Sequence, residues 1–336
     1  MNKVRVSVAG ANGYAGITLV NLLLHHPQVD LVELGSRSLA GRPWSEVFPL
    51  LEGERSFVSE LDPGQAEVIF SCLPHGVGAG QALGWLGAGV RVIDLSADFR
   101  LSDPGLYPTW YGVEHPAPQF LAEAVLGLPE LHAQDIASAR LIACPGCYST
   151  ASILALAPAV AAGLSGPDIV VDAKSGVSGA GRSPSLGTQF AEVQESVHAY
   201  SIAGHRHHPE LIQELSRLAA APPRITFVTH LVPMVRGILA TCYFDLDVPL
   251  AQLEEAYRDF YRASTFTRMV ASSPHTKFVS HTNWCLIHLA QQGDKVIVTA
   301  ALDNLVKGAA GQAVECLNLA LGFKPELGLT MVPQWP

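Results

Sequence analysis

The sequence predicts an α/β protein with two domains, a doubly wound parallel sheet followed by an α+β domain with a mainly antiparallel sheet. Three observations lead to this prediction. Strand-like and helix-like segments alternate through the first half of the chain, whereas long strand-like runs dominate the second half. The chain has 336 residues, a length typical of two domains. Hydrophobic residues make up 49% and charged residues 15%, which indicates large buried cores.

In the first half, strands and helices follow one another closely. Residues 4–9 are predicted to form a strand, residues 14–25 a helix that ends before Pro27, and residues 29–34 a second strand. Because strands separated by helices need right-handed crossover connections, they are expected to pair in parallel. Further strands of this sheet are predicted at residues 67–72, 90–95 and 141–143.

After Thr150 the pattern changes, so we place the domain boundary near residue 149. An amphipathic helix is predicted at 250–262 and a final helix at 305–321. The last two strands are joined by a short Gln-Gly-Asp turn, which favours a hairpin. The strands of this half are predicted at residues 168–173, 224–234, 238–248, 285–291 and 295–302.

The charge and the cysteine content exclude several classes of protein. A formal net charge of −9, from 21 Lys+Arg and 30 Asp+Glu, argues against nucleic-acid and anionic-membrane partners. The most apolar stretch, 149–166, contains Pro158 and Gly163 and is predicted to be a buried helix. The N-terminus lacks the apolar core of a signal peptide, and six cysteines are too few for a disulfide framework. We therefore expect a cytoplasmic protein with reduced thiols.

A glycine-rich turn lies between the first strand and the first helix. Glycines there allow a tight turn, and the helix N-terminus offers N–H groups to a pyrophosphate. The spacing is GxxGxxG, so a turn without a ligand is the alternative. With a bound dinucleotide, this half would be a Rossmann-type domain. The residues of the turn are Gly10, Ala11, Asn12, Gly13, Tyr14, Ala15 and Gly16.

The end of the second strand carries Ser36, Arg37 and Ser38. Proteins that bind NAD place an acidic residue near this point, whereas arginine with neighbouring hydroxyl groups suits the 2′-phosphate of NADP. NADP is therefore the predicted cofactor. The alternative is a solvated arginine in a loop.

Cys147 is the predicted nucleophile. It lies where the short strand 141–143 gives way to an Ala-rich helix, and a helix N-terminus lowers a thiol pKa. A small buried cysteine is the alternative, and the Cys144–Cys147 spacing also fits a redox pair or half of a zinc site. No second CxxC occurs, so we expect no metal. The other four cysteines lie in apolar runs and are expected to pack there: Cys72, Cys242, Cys285 and Cys316.

Two further segments carry candidate site residues. His205 and His207 precede a predicted helix at 210–218, and a histidine can take the thiol proton and return it later. With thirteen histidines in the chain, a His-rich surface turn is the alternative. The loop from Ser175 to Arg182 combines hydroxyls, glycines and a guanidinium, which suits a phosphate or carboxylate. A flexible linker is the alternative there.

Taken together, these segments resemble the N-acetyl-γ-glutamyl-phosphate reductases of arginine biosynthesis, within the aspartate-semialdehyde dehydrogenase-like group. The resemblance runs along essentially the whole chain. It departs from the family pattern at Cys144, where the family usually has asparagine, and at Ser149, where it has proline. The matching motifs lie at residues 10–16, 72–76, 94–100, 127–130, 145–148, 173–182, 205–210, 232–237 and 303–308.

The resemblance implies an NADP-binding domain at 1–149, completed by the C-terminal helix at 305–336, and a catalytic and oligomerisation domain at 150–304. It also implies a small-molecule substrate, an acyl group carried on Cys147, and a homo-oligomer, either a dimer or a tetramer. Cofactor contacts are expected from Cys72, Pro74, Ser178, Gly179 and Asn304, besides those in the turn and at 36–38. Substrate contacts are expected from Ser175, Arg182, Arg100, Arg206 and Tyr148.

The implied reaction is thiolate attack on an acyl phosphate, loss of phosphate, hydride transfer to the thioester and release of an aldehyde. Two related reductases are rivals, one for a carrier-bound aminoadipyl phosphate and one for aspartyl phosphate. A non-enzymatic NADP-binding sensor is a rival from another class.

Overall fold

A computed structural model of the chain describes residues 3–51 and 53–334, and these residues form two compact units. Of the described residues, the first unit comprises 3–51, 53–145 and 309–330, and the second comprises 146–308 and 331–334. Residues 1–2, 52, 335 and 336, which belong to the predicted NADP-binding domain, lie outside the described residues.

The first unit contains a six-stranded sheet in the order β2-β1-β3-β4-β6-β5. Every neighbouring pair is parallel, as the alternation of strands and helices predicted. β1 lies in the interior of the sheet. The turn that follows it lies at the edge of the sheet where the carboxyl ends of the parallel strands meet. The strands are β1 (Val4–Ala9), β2 (Val29–Gly35), β3 (Val68–Ser71), β4 (Arg91–Asp94), β5 (Val125–Leu126) and β6 (Leu141–Ala143).

Helices of the first unit come from both ends of its sequence. The helix near the C-terminus packs against the first and fourth helices of the unit. A hydrogen bond of 2.9 Å joins Nε2 of the buried His26 to Oδ1 of Asn318 and fastens this segment. The helices are α1 (Tyr14–Leu24), α2 (Gly78–Gly87), α3 (Tyr107–Tyr111), α4 (Pro129–Ser138) and, from the C-terminal segment, Gly311–Ala320.

The second unit contains a seven-stranded sheet in the order β11-β12-β13-β10-β7-β9-β8. Four of its six strand pairs are antiparallel, and the predicted hairpin is present with Gln292 opposite Lys295. The pairs β7–β9 and β11–β12 are parallel. The strands are β7 (Asp168–Gly176), β8 (His198–Tyr200), β9 (Arg224–Val232), β10 (Ile238–Asp245), β11 (Thr267–Met269), β12 (Cys285–Gln292) and β13 (Lys295–Leu302).

The central helix of the second unit is α5 (Cys147–Ala161), and residues 148–160 of it are buried, as predicted for the apolar stretch. It packs on the sheet, chiefly on β10 and β13. Pro158 has no N–H to donate to the carbonyl of Leu154, and the hydroxyl of Tyr261 donates to that carbonyl instead. The other helices of this unit are α6 (Phe190–Val193), α7 (His208–Leu218) and α8 (Leu250–Phe260).

The prediction of one regular helix over 305–321 is wrong in its first turn. Residues Val306–Ala310 form a π-helix, and only then does α9 (Gly311–Ala320) begin. The N–H of Gly308 donates to the carbonyl of Asp303, five residues earlier, at 2.9 Å. This wider turn is local, and the apolar periodicity of the sequence does not reveal it.

Among residues 3–51 and 53–334, no helix is long and apolar enough to span a membrane.

Candidate active site

Cys147 is the first residue of α5, and its side chain is half-buried. Gly146 before it caps the helix in an extended conformation, so the chain turns sharply into the helix at the thiol. N–H groups in the first turn of a helix lack helical acceptors and carry partial positive charge. The thiol therefore lies where a thiolate and a developing oxyanion are both stabilised.

The π-helix packs directly against Cys147. A methyl group added to Gly308 would lie 2.7 Å from Cβ of Cys147 and 3.2 Å from its Cα. Real carbon atoms do not approach so closely, so only glycine fits at position 308 in this conformation. The wide turn thus forms one wall of the thiol's surroundings.

The imidazole ring of His207 packs on the backbone of Gly146, the residue before Cys147. A methyl group added to Gly146 would overlap with the imidazole ring of His207 at Nε2, Cε1 and Cδ2. The ring therefore packs on the residue directly before the predicted nucleophile. His207 caps α7, so the two helix N-termini meet at this point.

His205 contacts both the backbone and the ring of His207. Its Nδ1 accepts a hydrogen bond of 3.1 Å from the backbone N–H of His207, and the two rings meet edge to face at 4.7 Å. An Nδ1 that accepts carries no proton, so the neutral ring holds its proton on Nε2. Burial, with the neighbouring Arg206, lowers the pKa of His205 to about 4. The two predicted bases are thus placed differently, and His207 is the one that touches the nucleophile's segment.

Glu210 joins the two helix N-termini. Its carboxylate is fully buried, and Oε2 accepts a hydrogen bond of 2.8 Å from the N–H of Gly146. It also belongs to the first turn of α7, where the partial positive charge of the helix favours an anion. The contact fixes the α5 entry relative to the histidine that packs on it.

Tyr148 is buried at 2% exposure. Its hydroxyl donates to the carbonyl of His230 at 2.9 Å and accepts from the hydroxyl of Tyr200 at 3.2 Å. Burial raises the pKa of the Tyr148 phenol, so it stays neutral. Its ring meets the rings of His205 and His207 edge to face, at 5.5 and 6.0 Å. Tyr148 thereby packs beside both histidines.

The loop after β7 brings together residues predicted to bind cofactor and substrate. Nδ2 of Asn304 donates to the hydroxyl of Ser178 at 3.0 Å, and Oδ1 of Asn304 accepts from the N–H of Gly237 at 2.7 Å. A methyl group on Gly179 would lie 2.8 Å from Oγ of Ser175, so these residues form one tight cluster. Arg182, at the end of the loop, and Arg206 are exposed.

In the first unit, the glycine-rich turn is packed too tightly for side chains. Gly10 has a positive φ of 74°, and a methyl group on it would lie 2.5 Å from the carbonyl oxygen of Cys72. A methyl group on Gly16 would lie 2.9 Å from Cα of Ala11. Both positions therefore require glycine, because backbone atoms of the protein fill the space that a side chain would take. Pro74, beyond Cys72, is exposed.

The residues predicted to recognise the 2′-phosphate lie beside this turn. Nδ2 of Asn12 donates to Oγ of Ser38 at 3.2 Å, and Oγ of Ser36 lies 3.4 Å from Oγ of Ser38. Arg37 is exposed at the start of a short 3₁₀ helix, Arg37–Leu39. The structure thus brings the turn and the residues at 36–38 into one place.

Arg100 has interior partners on the first unit. Its Nε donates to the carbonyl of Cys144 at 2.8 Å, and Nη2 donates to the carbonyl of Leu95 at 2.9 Å. Cys144 is only 1% exposed, and its N–H donates to the carbonyl of Asp94. These contacts favour a packing role for Cys144 over a redox role. The backbone carbonyls also occupy two nitrogen atoms of the Arg100 guanidinium, Nε and Nη2.

In the part of the chain that the structure describes, no group of three or more His, Cys, Asp or Glu side chains is arranged to hold a metal ion. Three of the four cysteines expected to pack, Cys242, Cys285 and Cys316, are fully buried, and Cys72 is partly buried. Burial raises the pKa of the Cys72 and Cys242 thiols far above the usual range, so both stay protonated.

Sequence reasoning did not single out three residues of the site: Gly308, Glu210 and Tyr200. Gly308 is the last residue of the motif at 303–308, and Glu210 is the last residue of the motif at 205–210. Both therefore belong to motifs that carry the family resemblance. Tyr200 lies in a polar stretch of ordinary composition and gave no signal. Its ring lies 5.6 Å from that of His205.

Comparison with known proteins bears on this site. A family model described as semialdehyde dehydrogenase, NAD binding domain, matches residues 5–139, and one described as semialdehyde dehydrogenase, dimerisation domain, matches residues 147–304. An N-acetyl-gamma-glutamyl-phosphate reductase of Dehalococcoides mccartyi (strain 195) is 47% identical over 341 residues, covering 100% of each chain. The chain belongs to the N-acetyl-gamma-glutamyl-phosphate reductase family. The resemblance inferred from the motifs is confirmed.

Further similarities agree with this membership. An N-acetyl-gamma-glutamyl-phosphate reductase of Nitrosococcus oceani is 44% identical over 343 residues, covering 99% of this chain and 100% of the relative. Among solved structures, aspartate semialdehyde dehydrogenase II of Vibrio cholerae in complex with ASA has a TM-score of 0.73 at 18% identity, covering 96% of this chain and 99% of that one. The enzyme of Candida albicans with NADP has a TM-score of 0.68 at 15% identity, with coverage of 95% and 98%. The structural likeness confirms the predicted fold.

Proposed function

We propose that this chain is an NADPH-dependent oxidoreductase that converts N-acetyl-γ-glutamyl phosphate to N-acetylglutamate semialdehyde and phosphate, a step of arginine biosynthesis. The observation that carries the proposal is the placement of Cys147 at the N-terminus of α5, with the ring of His207 packed on the preceding glycine. A thiol beside a base at a helix N-terminus is the arrangement that acyl transfer to cysteine requires. Family membership at 47% identity over the whole chain supports this reaction.

The first unit, with its C-terminal segment 309–330, is the proposed NADP-binding domain. The residues fit the group, because the glycine-rich turn leads from the carboxyl end of β1 directly into the N-terminus of α1. Its N–H groups would hold the pyrophosphate, and Arg37 with Ser36 and Ser38 would hold the 2′-phosphate. Cys72 and Pro74 would contact the cofactor through their backbone. The bound cofactor supplies the hydride that reduces the thioester.

The second unit is the proposed catalytic domain. Ser178, Gly179 and Asn304 would orient the cofactor. Ser175 with Arg182 and Arg206 would hold the acidic groups of the substrate, because guanidinium groups pair well with carboxylates and phosphates. Substrate contacts from Tyr148 and Arg100 stay predictions, since protein groups take up hydrogen-bonding capacity of both side chains.

The chain's own residues would carry the chemistry as follows. His207 takes the proton of the Cys147 thiol, and the thiolate attacks the acyl phosphate. Backbone N–H groups at the start of α5 stabilise the oxyanion, and phosphate leaves to give the thioester. After reduction, the thiohemiacetal oxyanion re-forms the carbonyl as the C–S bond breaks, and His207 returns its proton to the departing Cys147 thiolate. His205 holds the His207 backbone through its Nδ1.

The proposal includes a homo-oligomer, a dimer or a tetramer, that works in the cytoplasm. The family's dimerisation domain covers residues 147–304, which supports assembly through the second unit.

The decisive experiment is reduction of NADP by purified protein in the reverse direction, with phosphate and each of three semialdehydes: N-acetylglutamic, aminoadipic and aspartic. We expect phosphate-dependent turnover with N-acetylglutamic semialdehyde at the highest kcat/KM. Preference for either other aldehyde would assign the chain to a rival reductase, and absence of turnover with retained NADP binding would favour the sensor. Cys147→Ser should abolish turnover and leave NADPH binding intact.

A further inference from the structure

The π-helix that packs on Cys147 is preceded by a buried acidic residue. Asp303 follows the last residue of β13 directly, and it is 0% exposed. A carboxylate removed from water is stable only where hydrogen-bond donors and positive charge replace the water. The partners of this carboxylate therefore show which segments it holds together.

One oxygen of the carboxylate and the backbone carbonyl of Asp303 hold the start of the π-helix. Oδ1 accepts hydrogen bonds from the N–H of Leu305 at 2.9 Å and from that of Val306 at 3.2 Å. The carbonyl accepts from the N–H of Gly308 at 2.9 Å. A π-helix is rare, so contacts from its surroundings must favour it over the ordinary α-helix. Asp303 thus fixes the turn as far as the glycine that contacts Cys147.

The other carboxylate oxygen joins this turn to two segments that are distant in sequence. Oδ2 of Asp303 accepts from the N–H of His281 at 2.6 Å and from Nη1 of Arg236 at 3.2 Å. His281 has a φ of 64°, which residues other than glycine rarely adopt, so its surroundings must hold it in this conformation. Arg236 lies in the turn between β9 and β10, and its side chain is 21% exposed. Its guanidinium group neutralises the buried carboxylate.

We infer that Asp303, paired with Arg236, is a positioning residue for Cys147. It keeps Gly308 of the π-helix against the thiol and so sets the exposure and reactivity of the thiol. The contact leaves no room for movement towards the thiol, because a methyl group on Gly308 would lie 2.7 Å from Cβ of Cys147. Asp303 acts through the backbone of the turn and takes no part in proton transfer. The inference rests on the proposed role of Cys147 as the nucleophile.

The first test is Asp303→Asn, which keeps the shape of the side chain but replaces one acceptor oxygen by an NH₂ group. Donors lie on both sides of the carboxylate, so in either orientation the amide NH₂ faces N–H groups that lose their acceptor. We expect kcat to fall by about tenfold or more, with NADPH binding unchanged. Alkylation of Cys147 by iodoacetamide, followed by site-resolved mass spectrometry, should become faster because the π-helix no longer holds its place against the half-buried thiol.

The matched control is Asp168→Asn, which also breaks a pair between an aspartate and an arginine of the second unit. Oδ1 of Asp168 accepts from Nε of Arg224 at 2.6 Å. This pair lies at the start of β7, the opposite end of that strand from Gly176, and the control should keep wild-type kcat and alkylation. A role of Asp303 in stability alone would lower Tm but leave both rates unchanged at 25 °C, because the folded molecules would keep an intact site.

The second test removes the partner of the carboxylate. Arg236→Gln should also lower kcat and speed alkylation, and Arg236→Lys, which keeps the charge, should retain more of the wild-type kcat. The double variant should be no slower than the poorer single variant, because both changes act on one turn.

Two results would overturn the inference. One is wild-type alkylation of Cys147 in a folded Asp303→Asn protein, or in Arg236→Gln should Asp303→Asn not fold. The other is a double variant whose losses in kcat multiply, since Arg236 would then act on the reaction independently of Asp303. Alkylation needs neither substrate nor cofactor, so it tests the inference separately from the three-semialdehyde assay, which tests the reductase reaction.

Discussion

Replacing Gly308 by alanine tests whether the π-helix shapes the site. The new methyl group would lie 2.7 Å from Cβ and 3.2 Å from Cα of Cys147, whereas ordinary contacts are 3.4–4 Å. The two segments must therefore move apart by about 1 Å, because both neighbours are close to rigid backbone. Displacing a reacting group by about 1 Å costs on the order of 10²-fold in rate. Overpacking of this kind costs roughly 1–3 kcal/mol of stability.

We expect kcat of Gly308→Ala to fall about 10²-fold, with alkylation of Cys147 by iodoacetamide also altered and NADPH binding unchanged. The matched control is Gly84→Ala, which lies within α2 and whose added methyl group would contact nothing within 4 Å. That variant should keep wild-type turnover and gain about 0.5–1 kcal/mol of stability. A Gly308→Ala enzyme with wild-type turnover would refute the packing argument.

Four further predictions concern residues placed by the structure. His207→Asn should lower kcat by about 10²-fold or more, whereas His205→Asn should lower kcat less; the reverse order would exchange their roles. Burial lowers the pKa of His205 from 6.5 to about 4. Between these two pH values His205 is protonated in the unfolded chain and neutral in the folded chain. Stability should fall as pH drops from 6.5 towards 4, by at most about 3 kcal/mol, and urea unfolding of His205→Asn should show a weaker dependence. Arg37→Ala should weaken NADPH binding by roughly 1.5–3 kcal/mol and leave NADH binding unaffected; equal weakening would show that it does not discriminate. Because Cys144 is 1% exposed, Cys144→Ser and wild type should lose activity in peroxide and recover it in dithiothreitol alike.

The sequence alone determined the features that depend on neighbours a few residues apart. Apolar periodicity and turn residues predicted most of the longer strands and helices, including the buried helix that begins at Cys147. The glycine-rich turn and the residues at 36–38 were found from their spacing relative to β1 and β2. Short elements such as β5, β8 and β11 were missed, because two or three residues carry no measurable period.

Only the tertiary structure decided what surrounds the thiol. The hydrogen bond from Gly146 to Glu210 joins residues 64 apart in sequence, and no local pattern encodes it. The packing of the His207 ring on Gly146, and of Gly308 on Cys147, likewise joins residues distant in sequence. It places His207 rather than His205 against the segment of Cys147 and explains why position 308 is a glycine. These contacts depend on how the helices pack on the sheet of the second unit. That packing is set by the shapes of side chains that are distant in sequence, so no single segment encodes it. The sequence therefore predicted the nucleophile, and the fold showed which histidine packs on its segment and which residues surround the thiol.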